Sequence, residues 1–176
     1  SIFKTPIGKF ALKYLRRQLA NNYNRQIQWT DSCVMLSDLF RPTLSQLLSK
    51  GYDYRKVLPI NNPLSWDTTF DVNEMTKEKT ILYVGRIDNG FKNVDKLIRI
   101  WGEIANQVSD WKFEICGQGQ ELEANKQIVE QEKIPRCKLL GLVNPTPYYK
   151  KASVIMMASA SSEGWGMVLV EAMQYG

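Results

Sequence analysis

Histidine is absent from all 176 residues, so this chain has no imidazole to act as a general base, to activate a nucleophile or to bind a metal. There is no Asp-x-Asp pair, which removes the carboxylate pattern that would carry a divalent cation to a diphosphate. The three cysteines, Cys33, Cys116 and Cys137, are odd in number, lack metal-ligand spacing and sit in apolar runs. That usage fits free thiols in a reducing compartment, the cytoplasm. No apolar run approaches the length of a membrane span, and no signal peptide is recognisable. The net charge of +5 is too small to argue for nucleic acid.

Two phosphate-binding motifs are missing as well. A Walker loop needs Lys and then Ser or Thr directly after its second glycine, whereas Gly90 is followed by Phe91, Lys92 and Asn93. The dinucleotide fingerprint needs a third glycine three residues beyond Gly119, and Leu122 stands there. Nucleotide hydrolysis and hydride transfer lose their usual signatures.

What is present is a 44% hydrophobic chain, long enough for one substantial core or for one domain plus part of another. Its charge is uneven: residues 1–60 carry ten Lys or Arg against three Asp or Glu, and the remainder thirteen against fifteen. From Ile7 to Leu19, Ile7, Phe10, Ala11, Tyr14 and Leu15 form one helical stripe, and Lys9, Lys13, Arg16 and Arg17 another. The favoured reading is a surface helix whose apolar stripe packs on a core; peripheral contact with anionic lipid at the inner face of a membrane is the alternative. Ser32–Ser37 reads as a strand, Arg41–Lys50 as a helix closed by Gly51, and Lys56–Ile60 as a strand. A polar stretch without periodicity follows, so the expected division is a first region over 1–62, a connection over 63–79 and a second domain over 80–176.

Beyond Lys79 short apolar runs alternate with amphipathic ones: strands over 81–84, 111–116 and 138–143, helices over 94–108, 121–132 and 148–152. This alternation predicts a Rossmann-like α/β fold, a parallel sheet flanked by helices with its ligand loops on one edge. Those loops are 85–93, 117–120 and 159–166. Tyr148 and Tyr149, although able to stack on a base, read as packing residues.

The chain is organised around its last stretch, SVIMMASASSEGWGMVLVEAMQYG from Ser153. An apolar strand over 154–158 leads through a small polar turn, Ser159–Ser162, and Glu163-Gly164-Trp165-Gly166 into a helix that starts at Met167. Free N–H groups and the positive dipole end at such a helix start favour a phosphate, and glycines allow close approach. Arg86 and Lys92, in the loop after the first strand, supply a guanidinium fork and a mobile point charge at the same edge.

Glu163 and Glu171, separated by seven residues, resemble the E-x7-E signature of the family 4 glycosyltransferases, the glycosyl transferases group 1, whose fold is the two-domain GT-B arrangement. Val84-Gly85-Arg86 with Lys92 resembles the family's cationic loop, Gly117-Gln118-Gly119 its G-x-G turn, and SCVMLSD and VLPINNP the end of its acceptor-side domain. The resemblance implies a retaining transferase that moves a sugar from a nucleoside diphosphate, UDP- or GDP-linked, to an acceptor hydroxyl in polysaccharide or glycolipid synthesis. The acceptor would be a carbohydrate or lipid-linked sugar, and no cofactor beyond the donor is implied. Glu163, Arg86 and Lys92 would be catalytic: Glu163 on sugar hydroxyls, the two cations on the leaving diphosphate. Gly85, Gly117, Gly119, Val143, Gly164, Trp165, Gly166 and Met167 would line the donor site, largely through backbone, and Glu171 would take the ribose hydroxyls; no metal is expected. The family's acceptor-domain histidine and N-terminal glycine-rich loop have no counterpart here, so the expectation is an incomplete fold that holds donor without transferring sugar. The alternative is a non-catalytic module that binds a nucleotide or sugar phosphate.

Overall fold

The computed structural model describes residues 5–48, 53–64, 71–159 and 163–176. The helix expected up to Lys50 ends at Leu47, because Leu48 takes an extended backbone; residues 49–50, Gly51, residues 65–70 of the polar connection and residues 160–162 of the Ser159–Ser162 turn lie outside the described residues. The backbone divides into two units, Ser1–Pro63 and Leu64–Gly176.

In the first unit, α1 spans Pro6–Trp29. Thr5 caps it by accepting from the Gly8 N–H at 3.1 Å, and Pro6 occupies the first turn, where no N–H is missed. The helix runs on past Leu19, because residues 20–28 contain no Gly or Pro to stop it. Asn24 donates back to Ala20 O at 2.7 Å, and the Arg25 guanidinium sits 4.8 Å over the Trp29 ring. The apolar stripe expected to pack on a core does not do so within the described residues: Ile7 is 83% and Phe10 75% exposed. Only the C-terminal end of α1 joins the small core, through Ile27 with Leu48 and Val57. There β1 (Cys33–Met35) pairs in parallel with β2 (Val57–Pro59), and α2 (Arg41–Leu47) lies between them in sequence.

The second unit holds a four-stranded sheet. Its elements are β3 (Glu78–Val84), α3 (Val94–Ile104), β4 (Lys112–Cys116), α4 (Leu122–Gln131), β5 (Cys137–Gly141), α5 (Thr146–Lys151), β6 (Ala152–Ile155) and α6 (Met167–Met173). The strand order is β5-β4-β3-β6 and all pairs are parallel. Alternation along each strand explains why the runs are apolar throughout: Tyr83, Phe113 and Ile115 pack with α3, while Leu82 and Cys116 pack with residues of α5 and α6. Val94, Leu97, Ile98 and Trp101 of α3 are all buried, each contributing about 1.5–3 kcal/mol by the usual transfer values for large apolar side chains. The Trp101 indole N–H finds Pro135 O at 2.8 Å.

Several boundaries shift for identifiable reasons. Ahead of β3, a turn at Val72–Glu74 leads into the sheet unit, where Met75 packs and Lys77 donates to Tyr149 O at 3.3 Å. Helix α3 stops at Ile104 rather than near Val108, since Arg136 donates to the carbonyls of Ala105 and Trp111 and holds that stretch in turns. Strand β5 ends at Gly141, whose φ of +74° breaks the ladder, so Leu142 and Val143 leave the sheet. Strand β6 ends at Ile155, one bond after which, Met156 N–H to Leu82 O at 2.8 Å, the chain departs toward the loops.

Candidate functional site

The carboxyl ends of β3, β4 and β5 are stitched together beyond the strands themselves. Gly85 N–H donates to Cys116 O at 3.0 Å, Ile87 N–H to Gln118 O at 2.9 Å and Gly117 N–H to Gly141 O at 2.8 Å. Glycine is required here by contact. A Cβ on Gly117, where φ is +154°, would lie 1.8 Å from Gly85 O, and one on Gly119 would lie 1.9 Å from Ile87 O. The Gly-x-Gly turn therefore lets two loops touch through their backbones. Beside them opens a cleft of about 520 Å³ whose lining includes Gly85, Arg86, Gly117, Gly119, Leu142 and Val143. Five residues singled out in the sequence thus meet in one place.

Across the β3–α3 loop a second group converges. Lys92 forms an ion pair with the Glu163 carboxylate, 71 positions away in sequence, and also donates to Ser159 Oγ at 3.2 Å. The Ser159 hydroxyl in turn donates to Glu163 Oε2 at 2.8 Å. The hydrogen bonds from Lys92 and Ser159 hold the Glu163 carboxyl below its ordinary 4.5, with the Gly166 N–H adding to the effect. A carboxyl lowered in the folded state adds stability that is fully present above pH 4.5 and is lost as pH falls through the depressed value. Carbon-13 carboxyl titration of Ser159→Ala should show the Glu163 midpoint moving up toward 4.5; an unchanged midpoint would remove Ser159 from this contact.

Arg86 is held differently. Its carbonyl accepts from the Tyr83 hydroxyl at 2.9 Å, while its guanidinium is 65% exposed and lies 3.3 Å from Asp88. Burial first, then the charges of Asp88 and Glu163, push the Tyr83 phenol up to about 12, so it stays a donor.

Gly166, at φ +64°, precedes α6, and a Cβ there would come within 3.3 Å of Met157. Gly164 is exposed, Met167 is half-buried, and the Trp165 indole N–H is buried without a hydrogen-bond partner among the described residues. Glu171 is half-buried within α6 and accepts from the Tyr149 hydroxyl at 3.0 Å. Tyr149 is 2% exposed, a packing residue as the sequence suggested.

The residues that escaped sequence reasoning are Ser159, Asn93 and Tyr83. Asn93 is buried at φ +51°, donates to Ala158 O at 2.7 Å and accepts from Lys96 at 2.7 Å. It fastens the Lys92 loop to the chain that leads to Glu163. Its one sequence signal was an asparagine directly before a helix, a residue type that tolerates the left-handed region.

The model of the glycosyl transferases group 1 matches residues 65–176. The chain belongs to that family. Among relatives, an uncharacterized glycosyltransferase of Haemophilus influenzae is 29% identical over 133 residues, covering 74% of this chain and 36% of that protein. The lipopolysaccharide 1,6-galactosyltransferase of Salmonella typhimurium is 25% identical over 138 residues, covering 74% and 38%. In three dimensions the pneumococcal O-GlcNAc transferase GtfA, solved with UDP and GlcNAc, superposes with a TM-score of 0.73 at 22% identity, over 88% of this chain and 31% of GtfA. At that identity the likeness carries the fold alone: an α/β parallel sheet flanked by helices, as in GT-B glycosyltransferases. The chain spans about a third of the length of the curated relatives it matches. Among its described residues this group 1 chain has no helix long and apolar enough to cross a membrane, and no cluster of three metal-ligating side chains.

Proposed function

We propose that the protein is a retaining glycosyltransferase of family 4, in which this chain holds a nucleoside-diphosphate sugar and the transfer serves polysaccharide or glycolipid synthesis. The observation that carries the reading is the junction of Lys92, Ser159 and Glu163, in which Lys92 belongs to the same β3–α3 loop as Arg86, a residue that lines the cleft. In the reaction the bond between the sugar's anomeric carbon and the diphosphate breaks, its electron pair leaves with the phosphate oxygen, and the acceptor oxygen takes the vacated position as its proton is released. Charge accumulates on the diphosphate. Lys92 and Arg86 are the fixed cations that meet it, and electrostatic preorganisation of this kind lowers a barrier most where charge develops. Glu163, oriented by Ser159, takes sugar hydroxyls. The names of the relatives, among them a lipopolysaccharide 1,6-galactosyltransferase, favour transfer over a purely binding role.

The test is a thermal-shift and calorimetry panel of UDP-, GDP-, ADP- and dTDP-sugars on the full-length protein, followed by turnover with the donor that binds. Binding of at least one donor is expected; binding of none overturns the reading. With that donor, Arg86→Ala should cost about 10- to 150-fold in kcat/KM, the loss of one charged hydrogen bond of about 1.5–3 kcal/mol. A loss below about threefold would take Arg86 out of the site.

A further inference from the structure

We infer that Tyr149 is a positioning residue for the donor's ribose: its hydroxyl fixes one oxygen of the Glu171 carboxylate and leaves the other for the sugar diol. The inference rests on the donor-site reading above, in which Glu171 receives the ribose hydroxyls.

Three observations support it. The Tyr149 hydroxyl donates to Glu171 Oε2 at 3.0 Å. The ring that carries this hydroxyl has little freedom, being buried, stacked on Tyr175 with centroids 5.7 Å apart and planes within 8°, while its carbonyl accepts from Lys77. The cluster in which Tyr149 packs also contains Cys116, Val84 and Val143, which line the cleft. The phenol therefore ties α6 to the lining of the cleft. Burial and the neighbouring carboxylate push the Tyr149 pKa well up, so the group remains a donor.

A carboxylate at the end of two rotatable methylenes surrenders rotamer freedom when it binds a diol. Fixing it beforehand removes part of that cost, which is how preorganisation raises affinity. A buried phenol also needs a partner in any case. The two roles differ in their consequences. Positioning affects only ligands that bear the ribose hydroxyls, whereas simple satisfaction of the phenol affects all ligands alike.

The experiment is calorimetry on the full-length protein with UDP, GDP and their 2′,3′-dideoxy counterparts, for the wild type, Tyr149→Phe and Glu171→Ala. Tyr149→Phe keeps the ring stack and removes only the hydroxyl. It should weaken binding of the ribonucleotide about three- to tenfold, the loss expected for one ordinary hydrogen bond, and leave the dideoxy form unchanged. Equal weakening of both forms, or no change in either, overturns the inference. If Glu171→Ala abolishes the ribose preference and Tyr149→Phe retains it, the Tyr149 role alone falls. If Glu171→Ala keeps the preference, or if neither nucleotide binds the wild type, the donor-site reading falls and takes the inference with it.

Discussion

Lys92→Ala should lower kcat/KM of the full-length enzyme by about 10²- to 10³-fold, with most of the loss in kcat. That is the usual consequence, about 2.7–4 kcal/mol, of deleting one preorganised partner of a developing oxyanion. Two features make Lys92 the more sensitive of the two cations. Its side chain is three-quarters buried and bonded to both Ser159 and Glu163, whereas the Arg86 guanidinium is largely exposed and partnered by Asp88. Removing Lys92 also takes from Glu163 the largest of the contacts that lower its pKa and one that holds its carboxylate in place, so one substitution disturbs two groups. Steady-state kinetics with saturating acceptor would show the effect, and a loss smaller than tenfold would mean that the ammonium serves the loop rather than the leaving group.

The second large effect is on folding. Gly119→Ala should destabilise the sheet unit by about 3 kcal/mol or more, at the upper end of overpacking costs. The added methyl would lie 1.9 Å from Ile87 O, 2.8 Å from its carbon and 3.0 Å from its nitrogen, so backbone on both sides must yield. The Ile87–Gln118 hydrogen bond sits at that contact and would be lost with it. Gly90→Ala is the matched control, because there the nearest atom is the Asp88 carboxylate at 3.5 Å, an ordinary contact. Urea denaturation of the two variants side by side should show a large fall in midpoint for the first and little change for the second. Comparable midpoints would mean that the two loops separate at little cost.

The order of elements and the pairing of motifs were legible because they rest on local rules. Apolar runs bounded by polar residues located the strands of the sheet, and the glycines marked the turns at its ligand edge. What was not legible depends on contacts distant in sequence. The end of α3 is set by Arg136, some thirty residues on, and the end of β5 by a left-handed glycine that periodicity does not register. The apolar stripe of α1 fades at Leu19, while backbone hydrogen bonds carry the helix on to Trp29. Within the site, the charged pair Lys92 and Glu163 could be named from motif resemblance, but Ser159 between them could not. A serine has no signature until the strand that carries it is placed beside the loop that carries Lys92. The Tyr149 to Glu171 bond is similar: the two residues stand 22 positions apart, and only packing joins them.

The three backbone bonds that stitch the ends of β3, β4 and β5 make one rim of the cleft a rigid plate, held by main chain and indifferent to side-chain identity apart from its glycines. The group of Lys92, Ser159 and Glu163, by contrast, is held by side chains. In the proposed function, a site divided in this way keeps its grip on the nucleotide while the side-chain group that meets the sugar is rewritten by substitution. Selectivity among sugars can then change without a toll on the scaffold.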